Sequence, residues 1–75
     1  MDWLDTKERF KERALYFGAT INELDGVYAD FGAAAILIRP SGTEPLIRIT
    51  YDAPNQEIMD MLQEMFADIL GGAGV

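Results

Sequence analysis

Ala34-Ala35-Ile36-Leu37-Ile38-Arg39-Pro40-Ser41-Gly42-Thr43-Glu44-Pro45-Leu46-Ile47-Arg48-Ile49-Thr50-Tyr51-Asp52 is the stretch on which the architecture turns. It contains two short apolar runs, Ala34–Arg39 and Leu46–Asp52, separated by a polar, turn-rich segment at Pro40–Pro45. In the first run Ile36 and Ile38 share one face and Leu37 takes the other. In the second, Ile47, Ile49 and Tyr51 alternate with Arg48, Thr50 and Asp52. Alternation with period two is the mark of a half-buried strand, and β-branched residues suit it. Two such runs across a short connection predict neighbouring antiparallel strands.

Working outward, Ile21–Leu24 and Val27–Phe31 flank Asp25-Gly26, the dipeptide preferred by a two-residue type I′ hairpin turn. Gly32-Ala33 permits a further reversal before the third strand. Upstream, Thr6–Phe17 reads as a helix with a stripe of Phe10, Ala14 and Phe17. Asp5 is its expected cap, Glu8 the capping-box partner and Gly18 the stop. Downstream, Pro54 and cap residue Asn55 open a second helix. Its stripe is Ile58, Leu62, Met65 and Ile69, widened by Met61 and Phe66, and Gly71-Gly72 ends it. Methionines 59, 61 and 65 read as core filling. Trp3 lies off the first stripe. The order helix, four strands, helix predicts an α+β fold of two layers: a four-stranded antiparallel sheet with two helices on one face.

A chain of 75 residues is expected to form a single domain over 1–75, with an ordered core of about 6–70. Hydrophobic residues make up 49%, a globular composition. There is no cysteine and no histidine, which removes disulfides, thiolate chemistry, the usual general base and the commonest transition-metal ligand. Thirteen acidic against six basic residues give a net charge of −7, which repels nucleic acid. No apolar run approaches the roughly 20 residues of a membrane span, and the first residues do not form a secretory signal. A cytoplasmic setting is the expectation that follows.

Chemistry concentrates in one place. Arg39-Pro40-Ser41-Gly42-Thr43-Glu44-Pro45, followed by Arg48, carries two of the six basic residues of an acidic chain. The Ser41 and Thr43 hydroxyls can donate to an anionic oxygen. Gly42 allows close approach and the unusual dihedrals of an anion-binding nest. Arg39 and Arg48 offer guanidinium forks that match phosphate geometry. These are also ordinary loop residues, and Glu44 could simply pair with either arginine at the surface, a contact worth roughly 0–1 kcal/mol. On the residues alone, a phosphate loop and a solvated loop both stand.

The run Ile36–Ile49 closely resembles the phosphate-binding loop in the C-terminal domain of the α-D-phosphohexomutases, the superfamily of phosphoglucomutase, phosphomannomutase and phosphoglucosamine mutase. The likeness extends upstream through Ile21-Asn22-Glu23-Leu24-Asp25-Gly26-Val27 and Asp30-Phe31, and onward into the acidic closing helix, covering about Phe10 to Leu70. It implies a fold similar to the TATA-box-binding-protein type. It also implies a function for a four-domain enzyme of which this chain resembles the fourth domain. A phosphoserine in the first domain passes its phosphoryl group to a hexose monophosphate. The bisphosphorylated sugar reorients, and the other phosphoryl group returns to the serine. The fourth domain grips the phosphate that is not being transferred.

Carried over by position, the resemblance implies phosphate contacts from Arg39, Ser41, Gly42, Thr43 and Arg48, with Pro40, Glu44 and Pro45 shaping the loop. No segment resembles the family's phosphoserine loop, its magnesium loop or its sugar-reading loop. The chain alone is therefore expected to be inactive and to hold no cofactor or metal, with magnesium bound by another domain of the parent. The implied partners are a hexose phosphate, of unspecified sugar, and the other domains. Trp3, Leu4 and Tyr28 are expected on the surface facing those domains. The alternative is a stand-alone, non-enzymatic module of the same fold that binds a phosphometabolite or a protein.

Overall fold

The computed structural model describes residues 3–42 and 46–70. Helix α1 (Trp3–Tyr16) leads into strands β1 (Thr20–Asn22), β2 (Val27–Asp30), β3 (Ala35–Pro40) and β4 (Ile47–Asp52). Helices α2 (Gln56–Met65) and α3 (Ala67–Leu70) follow. The strands form one antiparallel meander in the order β1-β2-β3-β4. α1 packs on β1 and β2, α2 on β4, and α3 against α1. The α+β arrangement expected from the alternating pattern is the one observed.

Register assigns each strand residue to a face. Val27 pairs with Ile38 and Ile38 with Ile49, while Ala29 pairs with Ile36 and Ile36 with Tyr51. These residues face the helices, and Val27, Ala29, Ile36 and Ile38 are completely buried. The opposite face carries Tyr28 beside Leu37, Leu37 beside Thr50, and Arg39 beside Arg48.

α1 starts a turn earlier than the polar signals suggest. Trp3 packs partly buried against the core, and Thr6, Phe10 and Ala14 are buried behind it. The apolar stripe thus gains a turn, and Asp5 lies inside the first turn instead of capping it. At the other end Gly18 is the stop, with φ +87°. The Gly18 amide donates to Leu15 O and the Ala19 amide to Ala14 O, each at 3.0 Å, which is a Schellman closure. Phe17 lies past the helix and is 44% exposed.

The Asp25-Gly26 turn also differs from its expected form. A two-residue turn would pair Leu24 with Val27 and hence Ile21 with Asp30. Instead Ile21 pairs with Ala29 and Asn22 with Tyr28. That one-residue shift puts Ile21 on the core face. The extra chain is absorbed by a wider turn, in which Asn22 Oδ1 accepts from the Leu24 amide at 2.9 Å. At Gly32-Ala33 the expected reversal forms, with the Phe31 amide donating to Ala34 O at 2.8 Å.

The closing helix is two pieces. Asn55 caps α2 as expected, its Oδ1 accepting from the Ile58 amide at 2.9 Å. Phe66 leaves the helix at φ −120°, and α3 begins after it. The buried Phe66 ring lies 5.0 Å from that of Phe10, with Phe31 and Phe17 edge-on at 6.1 and 6.2 Å. This aromatic cluster ties the helices to the sheet, and breaking the helix at Phe66 lets that ring enter it. Leu62 and Ile69 are buried and Ile58 and Met65 partly so. Met61 is exposed and does not widen the stripe. The expected stop at Gly71-Gly72 lies outside the described residues.

Candidate functional site

Strand pairing brings the two site arginines together. Arg39 near the end of β3 stands directly opposite Arg48 near the start of β4, on the sheet face away from the helices. Like charges directly opposite on neighbouring strands repel. One step beyond β3, the Ser41 amide donates to Leu46 O at 2.8 Å. This continues the ladder past Pro40–Ile47 and narrows the connection to residues 42–45. Ser41 is partly buried and Gly42 exposed. The expected site residue Thr43 and loop-shaping residues Glu44 and Pro45 lie outside the described residues, as does the pairing considered for Glu44.

Gly42 differs from expectation in one respect: its φ is not in the left-handed region. The nest argument from unusual dihedrals therefore does not apply at that residue. Among the described residues a Cβ added at Gly42 would meet nothing within 4 Å, so no neighbour among them demands a glycine there.

Arg39, Pro40 and Gly42 line one wall of an open cleft of about 530 Å³, whose other walls are Trp3 and Lys7 of α1 and the Glu23–Gly26 turn. Its charges are partly balanced. Lys11 Nζ lies 3.0 Å from Glu23 Oε2, a hydrogen bond that raises the Lys11 pKa. Arg39 Nη1 donates to Asp25 Oδ2 at 3.4 Å. Lys7 has no ion-pair partner among the described residues.

Gly26 sets the closest approach between the turn and β3. It has φ +82°, and a Cβ there would run into the Ile38 carbonyl oxygen and lie 2.6 Å from Arg39 Cβ. Only glycine fits, and its fit seats Asp25 beside Arg39. Reading the sequence missed Lys7, Trp3 and the turn as neighbours of the loop. The Gly26 position was a visible signal for the turn. The Lys7 position depends on how α1 docks, which no local pattern encodes.

Among the described residues the cleft has cations and donors beside the carboxylates of Glu23 and Asp25, and neither histidine nor cysteine. Among the described residues no group of three or more carboxylates could hold a metal ion, and no helix is long and apolar enough to cross a membrane.

The sequence that builds this meander and its arginine-flanked loop has counterparts among known proteins. The chain belongs to the family described as the phosphoglucomutase/phosphomannomutase C-terminal domain, whose profile matches residues 4–69. Among its relatives is a probable phosphoglucosamine mutase of Methanopyrus kandleri, 46% identical over 50 residues, 67% of this chain and 11% of that protein. The phosphoglucosamine mutase of Exiguobacterium sibiricum is 44% identical over 52 residues, 69% of this chain and 11% of that protein. That of Leuconostoc mesenteroides is 40% identical over 52 residues, with the same two shares. The chain thus spans about a tenth of the length of the curated relatives it matches.

Proposed function

We propose that this chain is the substrate-phosphate grip of a phosphohexomutase, a single domain holding the phosphate that is not being transferred. The observation that carries the reading is the register that sets Arg39 opposite Arg48 beneath the Ser41-Gly42 loop. Two arginines on one sheet face, with Ser41 and Gly42 following directly on β3, suit a phosphate. In this reading Arg39 and Arg48 supply charge, Ser41 and Thr43 donate hydroxyl protons, and the chain at Gly42 lets the phosphate approach. Pro40, Glu44 and Pro45 shape the loop. Lys7 adds a cation from across the cleft.

In the parent enzyme this is catalysis by positioning. Binding energy from the remote phosphate orients the reacting end of the sugar. A phosphoserine of another domain donates its phosphoryl group to the sugar's free hydroxyl. The sugar turns over, and its original phosphoryl group passes back to the serine. The grip then serves both phosphates in succession. Magnesium belongs to another domain in this reading, as the family resemblance implies. The names of the relatives favour an amino-sugar phosphate as substrate, and the whole reaction belongs to a cytoplasmic enzyme.

A titration of the chain with glucosamine 6-phosphate, followed by amide NMR, tests the reading. Shifts should concentrate at Ser41, Gly42 and Thr43 and be absent with unphosphorylated glucosamine. Equal shifts from both sugars, or none from either, would refute the grip.

A further inference from the structure

The only side-chain hydrogen bond that Arg39 makes among the described residues is the 3.4 Å contact to Asp25, with 47% of the Arg39 side chain and 79% of the Asp25 side chain exposed. That contact is single and longer than the usual 2.7–2.9 Å of a charge-assisted bond. Asp25 is nonetheless held in place. Gly26 is wedged against the Ile38 carbonyl and Arg39 Cβ, so the backbone delivers the carboxylate to the guanidinium. Both residues line the cleft that also reaches Gly42 and Lys7.

We infer that Asp25 is an internal anion that occupies Arg39 while the site is empty and is exchanged for a phosphate dianion when ligand binds; the inference rests on the phosphate reading of the loop. Among the described residues Asp25 is the one carboxylate that meets Arg39, which otherwise faces the like charge of Arg48. The looseness of the contact suits exchange. A phosphate dianion brings two charges and can engage the fork through two oxygens, whereas Asp25 offers one long contact. A monoanionic carboxylate in solution has no such advantage over Asp25. Asp25 thereby sets a threshold that phosphate passes and weaker anions do not, making it a specificity-determining residue of the site.

The test uses the chain and its Asp25→Asn, Asp25→Ser and Arg39→Ala variants, titrated with inorganic phosphate and separately with acetate. Readouts are the Arg39 Nε–H and the Ser41 and Gly42 amide resonances. Both replacements keep a turn-forming residue before Gly26, and serine avoids the deamidation to which Asn-Gly is prone. Phosphate should bind both Asp25 variants about two- to five-fold more tightly than the native chain, the gain expected from releasing an exposed ion pair. The preference for phosphate over acetate should fall in both, and Arg39→Ala should lose the phosphate shifts. If the native chain binds phosphate and neither variant binds it more tightly, the exchange is refuted while the grip stands. Unchanged binding in Arg39→Ala would refute it as well. If none of the chains binds phosphate at the loop, the grip fails and the exchange with it.

Discussion

Among the described residues, two arginine–aspartate pairs are built to different standards. At the helical end, Arg13 meets Asp68 through two parallel bonds, Nη1 to Oδ1 at 3.0 Å and Nη2 to Oδ2 at 2.9 Å. Nη1 also donates to Met65 O at 2.9 Å. At the loop end, Arg39 touches Asp25 once, at 3.4 Å. The first arginine joins α1 to α3 and satisfies a carbonyl near the break between α2 and α3. The second joins a turn to a strand that the sheet already holds. A fork with both prongs engaged is a structural tie; a fork with one long contact has donors left for something else. The contrast separates an arginine used for folding from one available for binding.

The sharpest way to break the contrast is through the backbone beneath the looser pair. Gly26→Ala puts a methyl group against the Ile38 carbonyl at a φ of +82°. The β1–β2 turn must then move off β3, and stability should fall by more than about 2 kcal/mol in urea unfolding. A loss below about 0.5 kcal/mol would show that Asp25 is not held by its neighbour. Arg39→Ala is next. On the proposed function, it should weaken phosphate binding by tenfold or more while stability changes by less than about 0.5 kcal/mol. A large loss of stability with phosphate affinity intact would reverse the roles assigned to the two arginines.

How far the sequence alone could reach follows the same division. The sheet was legible because Ile36, Ile38, Ile47, Ile49 and Tyr51 alternate cleanly, and strand alternation is a local signal. The Asn55 cap and the Gly18 stop were legible for the same reason. Register at the first turn was not. Asp25-Gly26 favours a two-residue hairpin, but pairing Ile21 with Ala29 on the core face outweighs turn preference. The break at Phe66 was also hidden, because it answers to Phe10 and Phe31, which are remote in sequence. At the site, the loop and both arginines could be named from the run of residues. That Arg39 and Arg48 stand opposite one another follows from register. That Lys7 and Asp25 border the same cleft follows from docking.

The tighter pair predicts an acid dependence. The hydrogen bonds from Arg13 hold the Asp68 carboxyl below its ordinary value of 3.8, and Asp68 in turn raises the Arg13 pKa. A carboxyl depressed in the folded state stabilises the fold above its unfolded pKa. That contribution disappears as pH falls from about 4 through the lower folded value. Asp68→Asn should therefore lower the thermal midpoint at pH 7, and the difference from the native chain should shrink as pH drops below 4. Phosphate affinity at pH 7 should not change. A midpoint difference that stays constant down to pH 2, or a weakened phosphate site, would mean that the two ends of the molecule are not independent.

Lys7 gives the smallest and most discriminating test of the loop end. It lines the cleft with Arg39 and Gly42 and has no ion-pair partner among the described residues. If it only solvates α1, replacing it changes nothing at the loop. If it faces the bound phosphate, an ammonium group at the edge of an open cleft contributes through charge more than geometry. Lys7→Ala should then weaken phosphate binding about two- to three-fold, Lys7→Arg should restore most of it, and the difference should fade in high salt. Screening separates the two arginine-containing ends as well. The proposed phosphate site, open on one side and assembled from loosely paired charges, should respond strongly to salt, whereas the Arg13–Asp68 tie is fixed by geometry as well as charge. Equal salt sensitivity of phosphate affinity and thermal midpoint would remove the distinction between them.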